Sequence, residues 1–365
     1  MGRKRLLVLY PTIAPYRIDY FNDLNRAFDA KICLQYWNLK DQTFDYEKIF
    51  SQFEFSPEYL PEGNAFGRLA RARRIIEDFR PDLVLTNEFG LLTLFAVFFK
   101  RLHRKDYRVV VMSDDSFDML AGGNDFSLKH RIGRSVLAPL ADEVVTVDPQ
   151  VCDYYRKRHD KGFFFPIIAD ERKAAQRYER ILPLSRQTAV QYDLKGRKVI
   201  ISVSRLVDLK NLHRVIDAYG KISSDAVLVI VGDGPERESL EAHAAEVGKR
   251  IVFAGRFDGD ELYCWYNIAS VLILASYKEP FGAVTNEALL AGCRVVVSRA
   301  AGSSCLVDEA NGQLVDPMDV DGIAAALDTQ LSLEDAPDCT RARASRMNIS
   351  YAGLIESLID KLEAL

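Results

Sequence analysis

Long apolar runs are missing from this 365-residue chain. The longest, over residues 89–99, is interrupted by Gly90 and Thr93, whereas a spanning helix needs about 20 consecutive apolar residues. The short run behind Met1-Gly-Arg-Lys-Arg5 is too brief for a signal-peptide core and has no cleavage site after it. A cytoplasmic protein is expected, at most peripheral on the inner face of the cytoplasmic membrane. Cysteine is sparse: Cys33, Cys152, Cys264, Cys293, Cys305 and Cys339 form no Cys-x-x-Cys pair. Buried free thiols in a reducing compartment are expected rather than a disulfide framework. The five histidines are not clustered, so no metal site is expected. Excess charge is lacking too, with 48 basic against 52 acidic residues and a net charge of -4, which excludes a dedicated nucleic-acid binder. That near-zero total conceals a split. Residues 1–190 hold 30 basic and 26 acidic side chains and the remainder 18 and 26, so the two halves carry +4 and -8.

What the chain does have is a regular alternation of short β-branched or Leu-rich runs with longer amphipathic stretches. Strands are expected over 6–10, 31–36, 82–86, 108–112 and 143–147, with helices near 18–28, 66–79, 91–103 and 128–140. The pattern then restarts, with strands over 199–203, 227–231, 251–253, 271–274 and 294–297. Helices are expected near 212–222, 237–247, 261–268, 285–291 and 320–329. Continuous apolar runs separated by helices suit parallel strands buried on both faces. The expected fold class is α/β, with two doubly wound Rossmann-like domains. The charged, weakly periodic stretch 170–196 marks the boundary between them, and an amphipathic helix over 349–362 closes the chain.

Ligands of doubly wound domains bind beyond the carboxyl ends of the strands, and four such loops stand out in the second half. In Ser202-Val-Ser-Arg-Leu-Val-Asp-Leu-Lys-Asn211, Arg205 and Lys210 put a planar fork and a point charge beside a helix start. That suits a diphosphate, and equally an ordinary solvated loop. In Val231-Gly-Asp-Gly-Pro-Glu236, Gly232 and Gly234 permit a tight turn and close ligand approach, as a plain β-to-α turn also would. In Ala254-Gly-Arg-Phe257, Arg256 and Phe257 either frame a planar base or form a simple turn. The fourth loop, Ser276-Tyr-Lys-Glu-Pro-Phe-Gly-Ala-Val-Thr-Asn-Glu-Ala-Leu-Leu-Ala-Gly292, sets Glu279 and Glu287 with seven residues between them. It has a hinge at Gly282 and a helix beginning near Thr285. Amides around Gly282, Ala283 and Val284 offer an anion site, and a carboxylate at Glu287 suits a ribose diol. Both acids are expected to be unpaired.

Taken in this order, the four loops resemble those of the family 4 glycosyltransferases of the GT-B fold, Glu-x7-Glu type, over residues 197–330. The resemblance implies two Rossmann-like domains facing a central cleft. An acceptor-binding domain would span 1–180 and a donor-binding domain 190–345, with a helix over 346–365 crossing back to the first. It implies that Arg205 and Lys210 bind the donor diphosphate and stabilise the leaving group, with Glu279 beside the transferred sugar. Glu287 would bind the ribose, Gly232, Gly282, Ala283, Val284 and Thr285 would complete the donor site, and Arg256 and Phe257 would frame the base. A UDP- or GDP-sugar donor, retention of anomeric configuration and no cofactor or metal follow from it. So does a glycan or lipid-linked acceptor in surface polysaccharide or glycoconjugate assembly. A sugar-nucleotide epimerase of the same fold and a catalytically weak nucleotide-sugar-binding subunit are the competing readings.

The first half departs from the family pattern. The usual glycine-rich first loop is replaced by Pro11-Thr-Ile-Ala-Pro-Tyr-Arg-Ile-Asp-Tyr-Phe-Asn22, and the first-domain His has no clear equivalent. The comparable strand end reads Val111-Met-Ser-Asp-Asp-Ser-Phe-Asp118. There Asp114 or Asp115 either serves the acceptor hydroxyl or caps a helix, and Tyr16, Arg17 and Asp19 are further acceptor-side candidates. Basic stretches over 98–105, 129–134 and 68–74 combine cations with apolar residues, as on a helix end or at an anionic membrane.

Overall fold

The structure, a computed structural model, describes residues 2–37, 46–61, 63–115, 120 and 128–365. It divides into two compact units, Met1–Ile167 together with Ala352–Leu365, and Ile168–Tyr351.

The first unit is built on seven parallel strands: β1 (Arg5–Tyr10), β2 (Asp29–Leu34), β3 (Glu58–Tyr59), β4 (Leu83–Asn87), β5 (Arg108–Ser113), β6 (Glu143–Thr146) and β7 (Phe163–Phe164). Their order is β3-β2-β1-β4-β5-β6-β7. Strands such as Leu6-Leu-Val-Leu9 and Val109-Val-Val111 are fully buried. Helices on both faces account for that, and for the lack of an apolar/polar alternation along these strands. β3 and β7 are two residues each, too short to leave a periodic signal in the sequence. The helix Pro149–His159 also escaped the pattern. Its last turn holds Arg156, Lys157, Arg158 and His159, and only Val151, Cys152 and Tyr155 are buried. Asp148 caps it, accepting the Gln150 and Val151 N–H groups at 2.7 and 3.1 Å.

The second unit repeats the arrangement with β8 (Val199–Val203), β9 (Val227–Val231), β10 (Ile251–Gly255), β11 (Val271–Leu274), β12 (Arg294–Ser298) and β13 (Gly312–Val315), all parallel. The order β10-β9-β8-β11-β12-β13 reverses direction between β8 and β11, and ligands of such sheets lie at that reversal. The stretch 170–196 is two helices, Glu171–Arg180 and Leu182–Gln191. The first buries only Tyr178, so it shows no apolar stripe, yet Asn267 ties its end to the unit by donating to the Tyr178 carbonyl at 3.0 Å.

The helix Tyr351–Ala364 packs on the first unit from Ala352 onward. Leu358 and Leu362 are fully buried, and Lys361 pairs with the buried Glu143 at 2.8 Å. All six cysteines are free thiols, five buried and Cys305 half-buried. No helix of the described residues is long and apolar enough to cross a membrane.

Candidate functional site

At the β8–β11 reversal two loops are stitched together by their own backbone. Asn211 sits in the left-handed region at φ 58° and is buried. Its side-chain amide donates to the Ala275 and Pro317 carbonyls at 2.9 and 2.7 Å. The Tyr277 N–H donates to the Leu209 carbonyl at 3.0 Å. This brings Lys210 against Glu279 in an ion pair with both side chains mostly buried, 69 residues apart in sequence. The Glu279 backbone is fixed in turn by a bridge to Ala301 and by the Gly302 N–H at 3.0 Å. Arg205, on the same loop as Lys210, is exposed and has no carboxylate in ion-pair reach among the described residues.

Gly282 follows at φ 92°, where a Cβ would lie 2.6 Å from Leu274 Cδ2 and 3.1 Å from Glu279 Cγ. It opens the helix Ala283–Leu290 without a side-chain cap. The Ala283 and Val284 N–H groups therefore point out of the helix start with no protein acceptor among the described residues. Thr285 does not join them. Its amide bonds the Gly282 carbonyl at 3.0 Å and its buried hydroxyl shares a hydrogen bond with Ser303 at 2.9 Å.

The expectation of two unpaired acids is overturned at both positions. Glu279 holds Lys210, and the half-buried Glu287 accepts hydrogen bonds from Tyr266 at 2.6 Å and Tyr263 at 3.4 Å. Burial pushes the Glu287 carboxyl up from its usual range, while the two phenols and the nearby Arg177 charge pull it back. Arg177 stacks on the Tyr263 ring at 4.4 Å. Tyr178 donates its hydroxyl to the Glu287 backbone carbonyl at 2.7 Å. None of these four supporting residues was visible as such in the sequence, because they come from two helices distant from the motif.

The glycines after β9 serve the protein's own backbone. A Cβ at Gly232, φ 144°, would meet the Ser204 carbonyl oxygen at 1.8 Å, and one at Gly234 the Leu206 oxygen at 2.4 Å. Arg256 is exposed, and the half-buried Phe257 ring lies 5.7 Å from the buried Trp265.

In the first unit the carboxyl ends of β1, β4 and β5 gather a second charged cluster. Arg17 is only 2% exposed and bonds Asp114 at 2.8 Å. Asp115 is equally buried and pairs with Arg134 at 3.4 Å. Asp114 keeps 40% of its side chain exposed, so of the two acids it alone reaches solvent. Between them stands Glu88, absent from the sequence-level candidates. It occupies φ 56° and accepts the Asp114 N–H at 2.8 Å and the Ser113 hydroxyl at 3.3 Å. Burial, with Asp115 and Asp114 adding to it, pushes its carboxyl well above the ordinary range. Tyr16 is exposed and Asp19 half-buried in the first turn of the helix Ile18–Ala27. Residues 116–119 of the Asp114 segment lie outside the described residues, as do the side chains of Lys129 and His130. No group of three or more His, Cys, Asp or Glu is placed to hold a metal among the described residues.

Residues 186–347 match the family model for glycosyl transferases group 1. The matched segment contains β8 to β13 and the second-unit site residues discussed above except Arg177 and Tyr178. An uncharacterized glycosyltransferase of Methanocaldococcus jannaschii is 38% identical over 201 residues, 52% of this chain and 51% of that protein. A glycogen synthase of Mycobacterium tuberculosis is 31% identical over 161 residues, 42% of this chain and 39% of that protein. The chain thus spans about half or less of the curated relatives it matches. Among solved structures, HepE of Anabaena in complex with UDP is similar with a TM-score of 0.77, 18% identity, and coverage of 99% of this chain and 100% of that one. Sucrose-phosphate synthase of Thermosynechococcus elongatus follows with a TM-score of 0.64, 18% identity, and coverage of 100% and 95%. At these identities the likeness shows the fold: two parallel-sheet Rossmann-like domains, as in GT-B glycosyltransferases.

Proposed function

We propose that the chain is a family 4 glycosyltransferase of the Glu-x7-Glu type. It moves a sugar from a UDP- or GDP-sugar to a glycan or lipid-linked acceptor with retention of configuration, in surface polysaccharide or glycoconjugate assembly at the cytoplasmic side of a membrane. The observation that carries this is the placement of Lys210 and Glu279 beside the open amides of Ala283 and Val284, with Arg205 exposed on the Lys210 loop. The HepE complexes with UDP and with UDP-glucose support a nucleotide-sugar donor.

In this reading the second unit binds the donor. Arg205, Lys210 and the helix amides face a diphosphate whose charge grows as its bond to the anomeric carbon breaks, and fixed donors aimed at developing charge are the strongest electrostatic device available. The acceptor oxygen bonds the same face of that carbon, and its proton leaves with the departing phosphate oxygen. Glu279 orients the sugar through its hydroxyls while it holds Lys210. Glu287, steadied by Tyr266 and Tyr263, accepts the ribose diol, and Arg256 and Phe257 border the base. The first unit receives the acceptor, with Asp114 contacting it and Arg17 fixing Asp114. Asp115 is assigned to holding Arg134.

Thermal shift with UDP, GDP and their sugars tests the donor site, since a ligand binding only the folded state stabilises it by about 2.7 kcal/mol at 100 times its Kd. Selective stabilisation by a nucleoside diphosphate and its sugar is expected. Release of nucleoside diphosphate in the same samples then separates a transferase from a binding-only subunit.

A further inference from the structure

The helix Leu91–Leu102 is apolar on both of its faces. Leu92, Ala96, Val97 and Phe99 are buried in the first unit's core. On the outer side Leu91, Leu94, Phe98 and Leu102 are 43%, 39%, 47% and 80% exposed. With about 100° between successive residues, those four fall within an arc of roughly 80°. A surface helix ordinarily turns charged and polar residues outward, but here the first exposed polar side chain is Arg101, next to the last residue. The helix Leu128–Leu137 packs beside it and adds Ile132 and Val136, one turn apart and 55% and 44% exposed.

Cations close one end of this face. Arg101, Arg104 and Lys105 are exposed and have no carboxylate in ion-pair reach among the described residues, and Asp106 is the acid that follows them. Their neighbours Lys100 and Arg108 differ, both turned onto Asp142 at 2.8 and 3.3 Å. In the basic stretch 68–74, Arg71 pairs with Glu58, Arg73 with Glu77, and Arg68 bonds the Tyr36 hydroxyl, while Arg74 is exposed with no ion pair among the described residues. Three cations without an ion pair among the described residues therefore stand where the apolar face ends.

We propose that this face docks on an anionic phospholipid bilayer, with the Leu91–Leu102 helix lying in the interfacial plane. Its leucines and Phe98 enter the acyl boundary, and Arg101, Arg104 and Lys105 meet the headgroup phosphates. Exposed apolar surface gains by leaving water, and basic residues at a negatively charged leaflet add to the attraction. A second copy of the chain fits the charge less well. A two-fold contact through this face would bring its cationic end against a face whose exposed side chains, among the described residues of the helix Leu91–Leu102, include no acid. The inference holds whether or not the transferase reading does, because lipid binding is measured without any donor or acceptor.

The test is sedimentation of the full chain with vesicles of phosphatidylcholine alone and with added phosphatidylglycerol. Partition onto the phosphatidylglycerol vesicles is expected, weakening as salt is raised. The triple variant L94S/F98S/L102S should lower that partition by about tenfold or more, with an unchanged melting curve because all three side chains are exposed. R101Q/R104Q/K105Q should remove the preference for phosphatidylglycerol. If the triple variant fails to fold, Phe98→Trp replaces it. Its fluorescence should be quenched by brominated acyl chains in the anionic vesicles beyond the quenching of Trp37 and Trp265 in the parent chain. Absence of binding, equal partition of parent and triple variant, no added quenching at position 98, or a solution dimer abolished by the triple variant would overturn the proposal.

Discussion

Lys210 and Glu279 illustrate what a residue-level reading can reach. Each was identifiable from its motif, but their ion pair was not, since 69 residues separate them and only the β8–β11 adjacency brings them together. Mutation should discriminate between pairing and catalysis. Arg205→Ala and Lys210→Ala should each lower kcat by about 100-fold or more, the usual cost of deleting one transition-state hydrogen-bond donor. Near-normal turnover in both would remove them from the reaction. Glu287 makes a sharper pH argument. Tyr266→Phe deletes the 2.6 Å hydrogen bond that holds its carboxyl down against burial, so the carboxyl should rise further and ionise later. The acid limb of kcat/KM should then move to higher pH, and an unmoved limb would show that Glu287 ionisation does not govern donor binding. Glu88 was not legible at all, because neither its positive φ nor its burial between Asp114 and Asp115 leaves a mark in Thr-Asn-Glu-Phe-Gly. Its carboxyl is raised in the folded protein, so folding favours the protonated form. Stability from this group is present below the ordinary carboxylate range and is lost as pH climbs through the raised value. Glu88→Gln, an isostere of the neutral acid, should flatten that loss in melting temperature measured against pH. A parallel decline in both proteins would contradict a raised Glu88.

Elements were more legible than contacts. The strands Val199–Val203, Val227–Val231 and Val271–Leu274 coincide with their apolar runs, since parallel strands covered on both faces need continuous hydrophobicity. Failures fall where that logic lapses: two-residue strands at Glu58–Tyr59 and Phe163–Phe164, the Gly312-Gln-Leu-Val315 strand, and helices with few buried residues over 149–159 and 171–180. The start of the helix Ala283–Leu290 is the element on which the candidate site turns. Gly282→Ala would put a side chain at φ 92°, 2.6 Å from Leu274 and 3.1 Å from Glu279. A left-handed conformation costs an L-residue roughly 1–2 kcal/mol, so chemical denaturation should show at least that loss. Turnover should fall further, because the Glu279 loop and the open amides move together. Unchanged stability and rate would mean that this turn is not the fixed point described.

Considered as a whole, the molecule consists of two units that share one chain path, with the terminal helix returned to the first. Leu358 and Leu362 are fully buried there, and Lys361 pairs with Glu143. Leu358→Ala should cost about 2–5 kcal/mol, as large-to-small core substitutions do, seen as an earlier unfolding transition. A shift within error would show that the helix is not part of the unit's core. The charge split of +4 and -8 between residues 1–190 and the rest acquires a physical meaning at this scale. The acidic part holds Arg205 and Lys210 at the β8–β11 reversal, and the basic part sets Arg101, Arg104 and Lys105 at the end of an exposed apolar helix. The proposed reaction is cleavage of a nucleotide-sugar at the Arg205 and Lys210 cations of the second unit. It is tested most directly by release of nucleoside diphosphate from a panel of UDP- and GDP-sugars, parent chain against Lys210→Ala. Release by the parent and its loss in the variant are predicted; release from no donor, or equal release by both, would contradict the account.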